Sequence, residues 1–186
     1  MTCHLFRRPA PKPGTCSLTL DPLLLLFFPA LMAFAAVSDM LTMTIPNRVS
    51  LLLVAGFVAM AILTGMPLKV FGMHLGAGLA VLAITFTMFV LGWIGGGDAK
   101  LAAATGLWCG FGVLLEYVLF ASIFGGLLTL AILYGRTFLL PEFAMKIGWI
   151  SRLHHHKTGI PYGIALAAAG LVVYPQTQIW TAVAGG

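Results

Sequence analysis

Apolar runs separated by short connections dominate the chain. The first covers residues 22–37, lengthened by residues 18–20, and passes directly into Ser38 and Asp39. Others cover residues 49–64, ended by Gly65 and Pro67, and 70–94, ended by three glycines. A fourth follows Lys100 to about residue 113, a fifth covers 117–134, and a sixth covers 160–173 or beyond. Each is near the roughly 17 to 25 residues that a bilayer requires, or a little shorter. No run alternates as a barrel strand would, and backbone groups in lipid must be satisfied internally, so the runs are expected to be helices. The expected fold is an all-α polytopic membrane protein with about six transmembrane helices. Residues 1–20, polar and Pro-rich, are expected to form a disordered tail ahead of a single transmembrane domain over 21–186. A cleavable signal peptide is the alternative for the start, but no convincing small-residue cleavage site follows the first run.

Composition agrees with that class. Residues are 60% hydrophobic and 8% charged, far from the roughly 25% charged of soluble domains. Too little polar sequence remains for a separate soluble domain. The formal charge of +5 comes from scattered loop residues rather than one amphipathic face, which argues against a nucleic-acid partner and for topology signals. Arg48, Lys100, Arg136, Lys146, Arg152 and Lys157 fall on one side of a six-span plan, which is then cytoplasmic; Arg7, Arg8, Lys12 and Lys69 fall on the other. Cys3, Cys16 and Cys109 form no Cys-x-x-Cys pair, so neither a zinc site nor a disulfide framework is expected. Cys109 is expected to pack as a small apolar residue.

Against this background two acids stand out, Asp39 after the first run and Asp98 within Gly95-Gly96-Gly97-Asp98-Ala99-Lys100. An ionisable group in a membrane segment costs about 2.5–3.5 kcal/mol and is a functional-site candidate by default. The topology puts both at the cytoplasmic edge. Two carboxylates a few Å apart share one proton, so that one deprotonates a water while the other polarises a carbonyl, the chemistry of aspartic proteolysis. Gly95, Gly96 and Gly97 would let an extended substrate approach and adopt positive φ; close helix packing or a plain loop is the alternative. A second function class uses Asp39 and Asp98 as proton or ion sites in a non-enzymatic carrier or assembly subunit.

Three motifs carry a resemblance. Gly95-Gly96-Gly97-Asp98 matches the Gly-x-Gly-Asp signature of intramembrane aspartic proteases. Asp39 followed by Ile45-Pro46-Asn47 resembles the first-aspartate motif of the type IV prepilin leader peptidases, and Ile160-Pro161-Tyr162-Gly163-Ile164-Ala165 resembles the start of the last helix in their small Tad/Cpa-type branch, which serves Flp-type pili. The resemblance runs in order from about residue 39 to 170. It implies that Asp39 and Asp98 are the catalytic pair of an aspartic endopeptidase in the bacterial inner membrane. The enzyme would remove basic leaders from Flp-type prepilins just before the apolar helix, with pseudopilins as further candidate substrates. No cofactor is implied. The paired Cys-x-x-Cys region of the long bifunctional members is missing between the aspartates, so N-methyltransferase activity has no support in the sequence.

The supporting residues have plain readings beside functional ones. Lys100 could bind a substrate carboxylate or anchor a helix at the membrane surface. Pro46 and Asn47 could shape the loop beside Asp39, or start the second helix. Pro161, Tyr162 and Gly163 could line a substrate groove, or open a helix with an interfacial aromatic. His154, His155 and His156 do not share one helical face, so a solvated or headgroup-facing loop is expected rather than a metal site. Glu116 is expected in an outer connection, Glu142 in a cytoplasmic loop, and Asp21 at the start of the first helix.

Overall fold

The computed structural model describes residues 21–138, 147–155 and 158–184. The tail over 1–20 and the positions of Glu142, Lys146, His156 and Lys157 lie outside the described residues. Within them the chain is helical and contains no strand: α1 (Asp21–Thr42), α2 (Asn47–Leu63), α3 (Leu68–Val90), α4 (Gly96–Gly135), α5 (Gly148–His154), α6 (Tyr162–Val173), a 3-10 turn (Tyr174–Gln176) and α7 (Gln178–Ala184). Helices α1, α3 and α4 are each long and apolar enough to cross a membrane, and α2 and the segment 162–176 are shorter apolar helices. The all-α membrane architecture is therefore as expected.

One connection is not where the charge pattern put it. Glu116 lies exposed within α4, and the break falls at Gly110, with φ 58° and ψ 176°. That conformation is nearly restricted to glycine, whereas the leucine-rich stretch around Glu116 favours helix and overrides a single acid. Leu114 Cδ1 stands 3.6 Å from where a Cβ on Gly106 would sit, although eight residues of straight helix would separate them by about 12 Å. Helix α4 thus folds back into two arms, 96–109 and 111–135, which account for the expected fourth and fifth spans.

A break in lipid must be satisfied by protein. Past the turn, Phe111 no longer supplies the helical donor for the Leu107 carbonyl. Buried His74 of α3 replaces it, its Nδ1 donating to Leu107 O at 2.8 Å. The imidazole lies 2.7–2.9 Å from where a Cβ on Gly110 would be. Histidine and glycine therefore complement each other at the turn.

Helices α2 and α3 each pack on α4 and meet one another at Phe57, whose ring lies 5.8 Å from that of Phe71 and 5.3 Å from that of His74, and α6 is held between α1 and α4. Gly163, Ala165, Ala167, Ala169 and Gly170 of α6 are buried. Small residues allow backbones to come close, which is how helices associate when lipid removes the hydrophobic difference. Buried Trp108 joins four elements near the end of the first arm. Its ring lies 4.9 Å from that of Phe28 and 6.1 Å from that of Tyr174, and its Nε1 donates to Leu53 O at 2.9 Å. This cluster sits about 15 Å along the arm from Asp98, leaving the other end of the bundle for the aspartates.

Candidate active site

Asp39 lies inside α1, one turn before its end, and is 4% exposed. The chain leaves the helix through a turn tied by hydroxyls. Thr42 Oγ1 donates to Ser38 O at 2.7 Å, and Ser38 Oγ donates to Thr44 O at 2.9 Å. Met43 takes φ 55° there, a left-handed conformation that costs a non-glycine residue about 1–2 kcal/mol. The turn carries Ile45 back beside Asp39.

Asp98 enters from the opposite direction. It is the third residue of α4, not the end of the preceding run, and Gly95 is the N-cap. Free N–H groups and the helix dipole favour a carboxylate in this first turn. The Gly95 N–H bonds to it, and Asp39 is close enough to act on it electrostatically. The two acids thus meet where α1 ends and α4 begins.

Helix α6 supplies the third side of the site. The backbone N–H of Gly163 donates to Asp39 Oδ2 at 2.7 Å. A Cβ at position 163 would stand 2.7 Å from that oxygen and 2.7 Å from Ile45 Cδ1, so no side chain fits. Ile45 also packs on Gly97, where an added Cβ would come 3.2 Å from Ile45 Cβ and 3.4 Å from its backbone N. One isoleucine therefore spaces the starts of α4 and α6 around Asp39.

The expected site residues separate into groups. Asp39, Asp98, Gly95, Gly97 and Gly163 come together. Gly96 packs toward the Phe89 ring. Positive φ is not the reason for these glycines: Gly95 is extended at φ −73°, Gly96 and Gly97 are helical, and among the described residues the positive-φ glycines are Gly65, Gly92 and Gly110. Close packing, the plainer expectation, is their role at Gly97. Pro46 is the N-cap of α2, and Asn47 opens that helix but accepts a 2.9 Å hydrogen bond from Lys100 Nζ instead of capping it. Pro161 is the buried N-cap of α6. Tyr162 turns to the second arm of α4, its hydroxyl 3.3 Å from Thr129 Oγ1 and its ring against Gly125.

Two arginines read from sequence only as topology signals have structural partners. Arg136 donates to the carbonyls of Leu153 at 2.7 Å, Thr158 at 3.0 Å and Gly159 at 3.4 Å. It thereby holds the approach to Pro161 and Gly163. Arg152 donates to Leu41 O, tying α5 to the end of α1. Nothing in their sequence neighbourhoods announces these contacts, because the accepting groups are backbone carbonyls. His154 ends α5 and His155 follows it. Among the described residues no group of three or more His, Cys, Asp or Glu side chains has the arrangement to hold a metal.

A family model described as the type IV leader peptidase family matches residues 26–130, more than half of the chain. The chain belongs to the type IV leader peptidase family. The matched region contains both aspartates, the Ile45-Pro46-Asn47 turn and the whole of α2 and α3. Helix α6 lies beyond it, so the contact from Gly163 is read from geometry alone. Searches among curated proteins and among solved structures gave no match. Membership makes the protein a membrane peptidase of prepilin-type substrates.

Proposed function

We propose that this leader peptidase is an aspartic endopeptidase in which Asp39 and Asp98 are the catalytic pair. The observation that carries the reading is their convergence at abutting helix ends, with Asp39 acting electrostatically on Asp98. Two coupled carboxyls hold one proton between them as a pair. The ionised member takes a proton from water as the oxygen attacks the scissile carbonyl, and the protonated member gives its proton to the developing oxyanion. Collapse of the tetrahedral intermediate breaks the C–N bond: the departing amine takes the proton that the first member took from water, and the second member recovers its proton from the intermediate's hydroxyl as the new carboxyl forms. The Gly163 N–H fixes one oxygen of Asp39 throughout, so that the carboxylate keeps its orientation.

The substrate is a Flp-type prepilin, cut just before its apolar helix at the cytoplasmic face of the bacterial inner membrane, and the new N-terminus is left unmethylated. The Pro161-Tyr162-Gly163 motif supports the Flp-type assignment, and the cluster of Arg136, Arg152 and Lys100 around this end of the bundle supports the orientation. Co-expression with a Flp-type prepilin in cells lacking other leader peptidases tests this reading. A prepilin shortened by its leader, with an unmethylated amine by mass spectrometry, is the expected result. Full-length prepilin beside correctly inserted enzyme would overturn it.

A further inference from the structure

From their contact at Phe57, α2 and α3 diverge toward the start of α2 and leave a groove of about 580 Å³ over the first arm of α4. Positions 47–54 of α2, 75–82 of α3 and 100–107 of α4 line it, each helix with one stripe at spacings of three or four residues. The groove is separate from the candidate catalytic pair. Asp98 lies two residues from Lys100, about 200° around the helix, and neither aspartate lines the groove. Its walls are apolar and open, with Leu51 69% and Leu79 56% exposed, and its charged lining residues are Arg48 and Lys100, both exposed at the mouth. Lys100 Nζ donates to Asn47 Oδ1 at 2.9 Å, and among the described residues neither cation pairs with a carboxylate.

We propose that this groove is a binding site for an anionic phospholipid, whose phosphate lies between Arg48 and Lys100 and whose acyl chain runs along the walls toward Phe57. The proposal does not depend on the role of the aspartates. Three observations commit it to this occupant. In a bilayer any apolar groove is filled by acyl chains, so the cation pair is what makes this one a site. Two positive charges without carboxylate partners at the edge of the hydrocarbon attract a headgroup of net negative charge, and the arginine fork suits a phosphate. The Asn47 bond holds the Lys100 ammonium at the mouth and uses one of its three donors, leaving two for phosphate oxygens. Depth decides between a lipid and a partner helix. Seven residues inward from the mouth measure about 10 Å, within the roughly 15 Å of hydrocarbon in one leaflet, and Phe57 against Phe71 and His74 closes the far end. A chain entering from one leaflet fits that shape, whereas a spanning helix would have to continue past the closed end.

The test uses the full-length protein in mild detergent and native mass spectrometry with dioleoyl phosphatidylglycerol or dioleoyl phosphatidylcholine, which share their acyl chains and differ in net charge. One phosphatidylglycerol is expected to bind at least tenfold more tightly than phosphatidylcholine. That preference should fall at least fivefold in Arg48→Gln/Lys100→Gln and persist in Arg48→Lys/Lys100→Arg, which keeps both charges. It should also persist in Lys69→Gln, which removes an exposed cation at the other end of α3. Equal binding of the two lipids by wild type, or a loss in Lys69→Gln as large as in the double glutamine variant, overturns the proposal. Leu79→Trp narrows the groove and is expected to weaken phosphatidylglycerol binding at least fivefold; unchanged binding would mean that the cations hold a headgroup without the groove, and overturns it as well. Photo-crosslinking from benzoylphenylalanine at Leu79, in vesicles of the two lipids in equal amounts, identifies the occupant. An adduct mainly with phosphatidylglycerol is expected, whereas an adduct between two copies of the chain contradicts the assignment. The wild-type, Lys69→Gln and position-79 measurements decide the proposal even where the double glutamine variant does not fold.

Discussion

Gly163 and Asp39 are 124 residues apart in sequence, yet the backbone N–H of one donates to the carboxylate of the other at 2.7 Å. The head of α6 therefore sets the position of an acid on α1. Gly163→Ala is expected to reduce prepilin cleavage at least tenfold, because its methyl would meet both Asp39 Oδ2 and Ile45 Cδ1 at 2.7 Å. Overpacking of this kind costs about 1–3 kcal/mol. Adding Ile45→Val removes one of the two clashes but not the one with the carboxylate. Thermal stability in detergent should then recover in part while cleavage stays low, which thermal unfolding and a gel-based processing assay would measure.

The three glycines before Asp98 should not be equivalent. An added methyl at Gly97 meets the Cβ and backbone N of Ile45, whereas at Gly96 it meets the edge of the Phe89 ring. A ring can turn aside more readily than backbone. Gly97→Ala is expected to lower kcat at least tenfold and Gly96→Ala less than threefold. Equal losses in a steady-state comparison would contradict the assigned packing.

Arg136 acts at a distance from the aspartates, through the carbonyls of Leu153, Thr158 and Gly159. Hydrogen bonds to a charged donor contribute about 1.5–3 kcal/mol each at most, and less where exposed. Arg136→Gln removes the fork and should loosen the segment that presents Gly163, lowering kcat about fivefold or more with little change in KM. Arg136→Lys, which keeps the charge but reaches fewer acceptors, should fall between the two. Steady-state kinetics on a purified prepilin would resolve this order.

Much of this arrangement was legible in the sequence, and the missing parts share a cause. Apolar run lengths located the helices, and Asp39, Asp98 and the Ile45-Pro46-Asn47 motif pointed to a family that the match over residues 26–130 supports. The turn at Gly110 was hidden because Glu116 offered a stronger polar signal, while the real break depends on a glycine and on His74, 36 residues earlier. Ile45 was visible within a motif, but its role as a spacer between Gly97 and Gly163 exists only once three helix ends meet. The same holds for Arg136 and Arg152, whose partners are backbone carbonyls that no side-chain pattern encodes.

His74 leads to a stability prediction. His74→Ala would leave the Leu107 carbonyl without its 2.8 Å partner and open space beside Gly110. An unmet buried acceptor costs about 1–3 kcal/mol before any loss of packing. The variant should unfold at a clearly lower temperature in detergent, while the wild-type-like fraction at low temperature still cleaves prepilin. Unchanged thermal stability would show that the turn does not depend on this histidine.

The pairing of Asp39 with Asp98 is tested most directly by cleavage of a purified prepilin by reconstituted wild-type, Asp39→Asn and Asp98→Asn enzymes, followed by mass spectrometry of the product. Each single substitution is predicted to reduce the rate at least a thousandfold, about 4 kcal/mol in transition-state stabilisation, with the protein still folded in the membrane. Cleavage at the normal site and near the wild-type rate by either variant would contradict the assignment of the two aspartates as the catalytic pair.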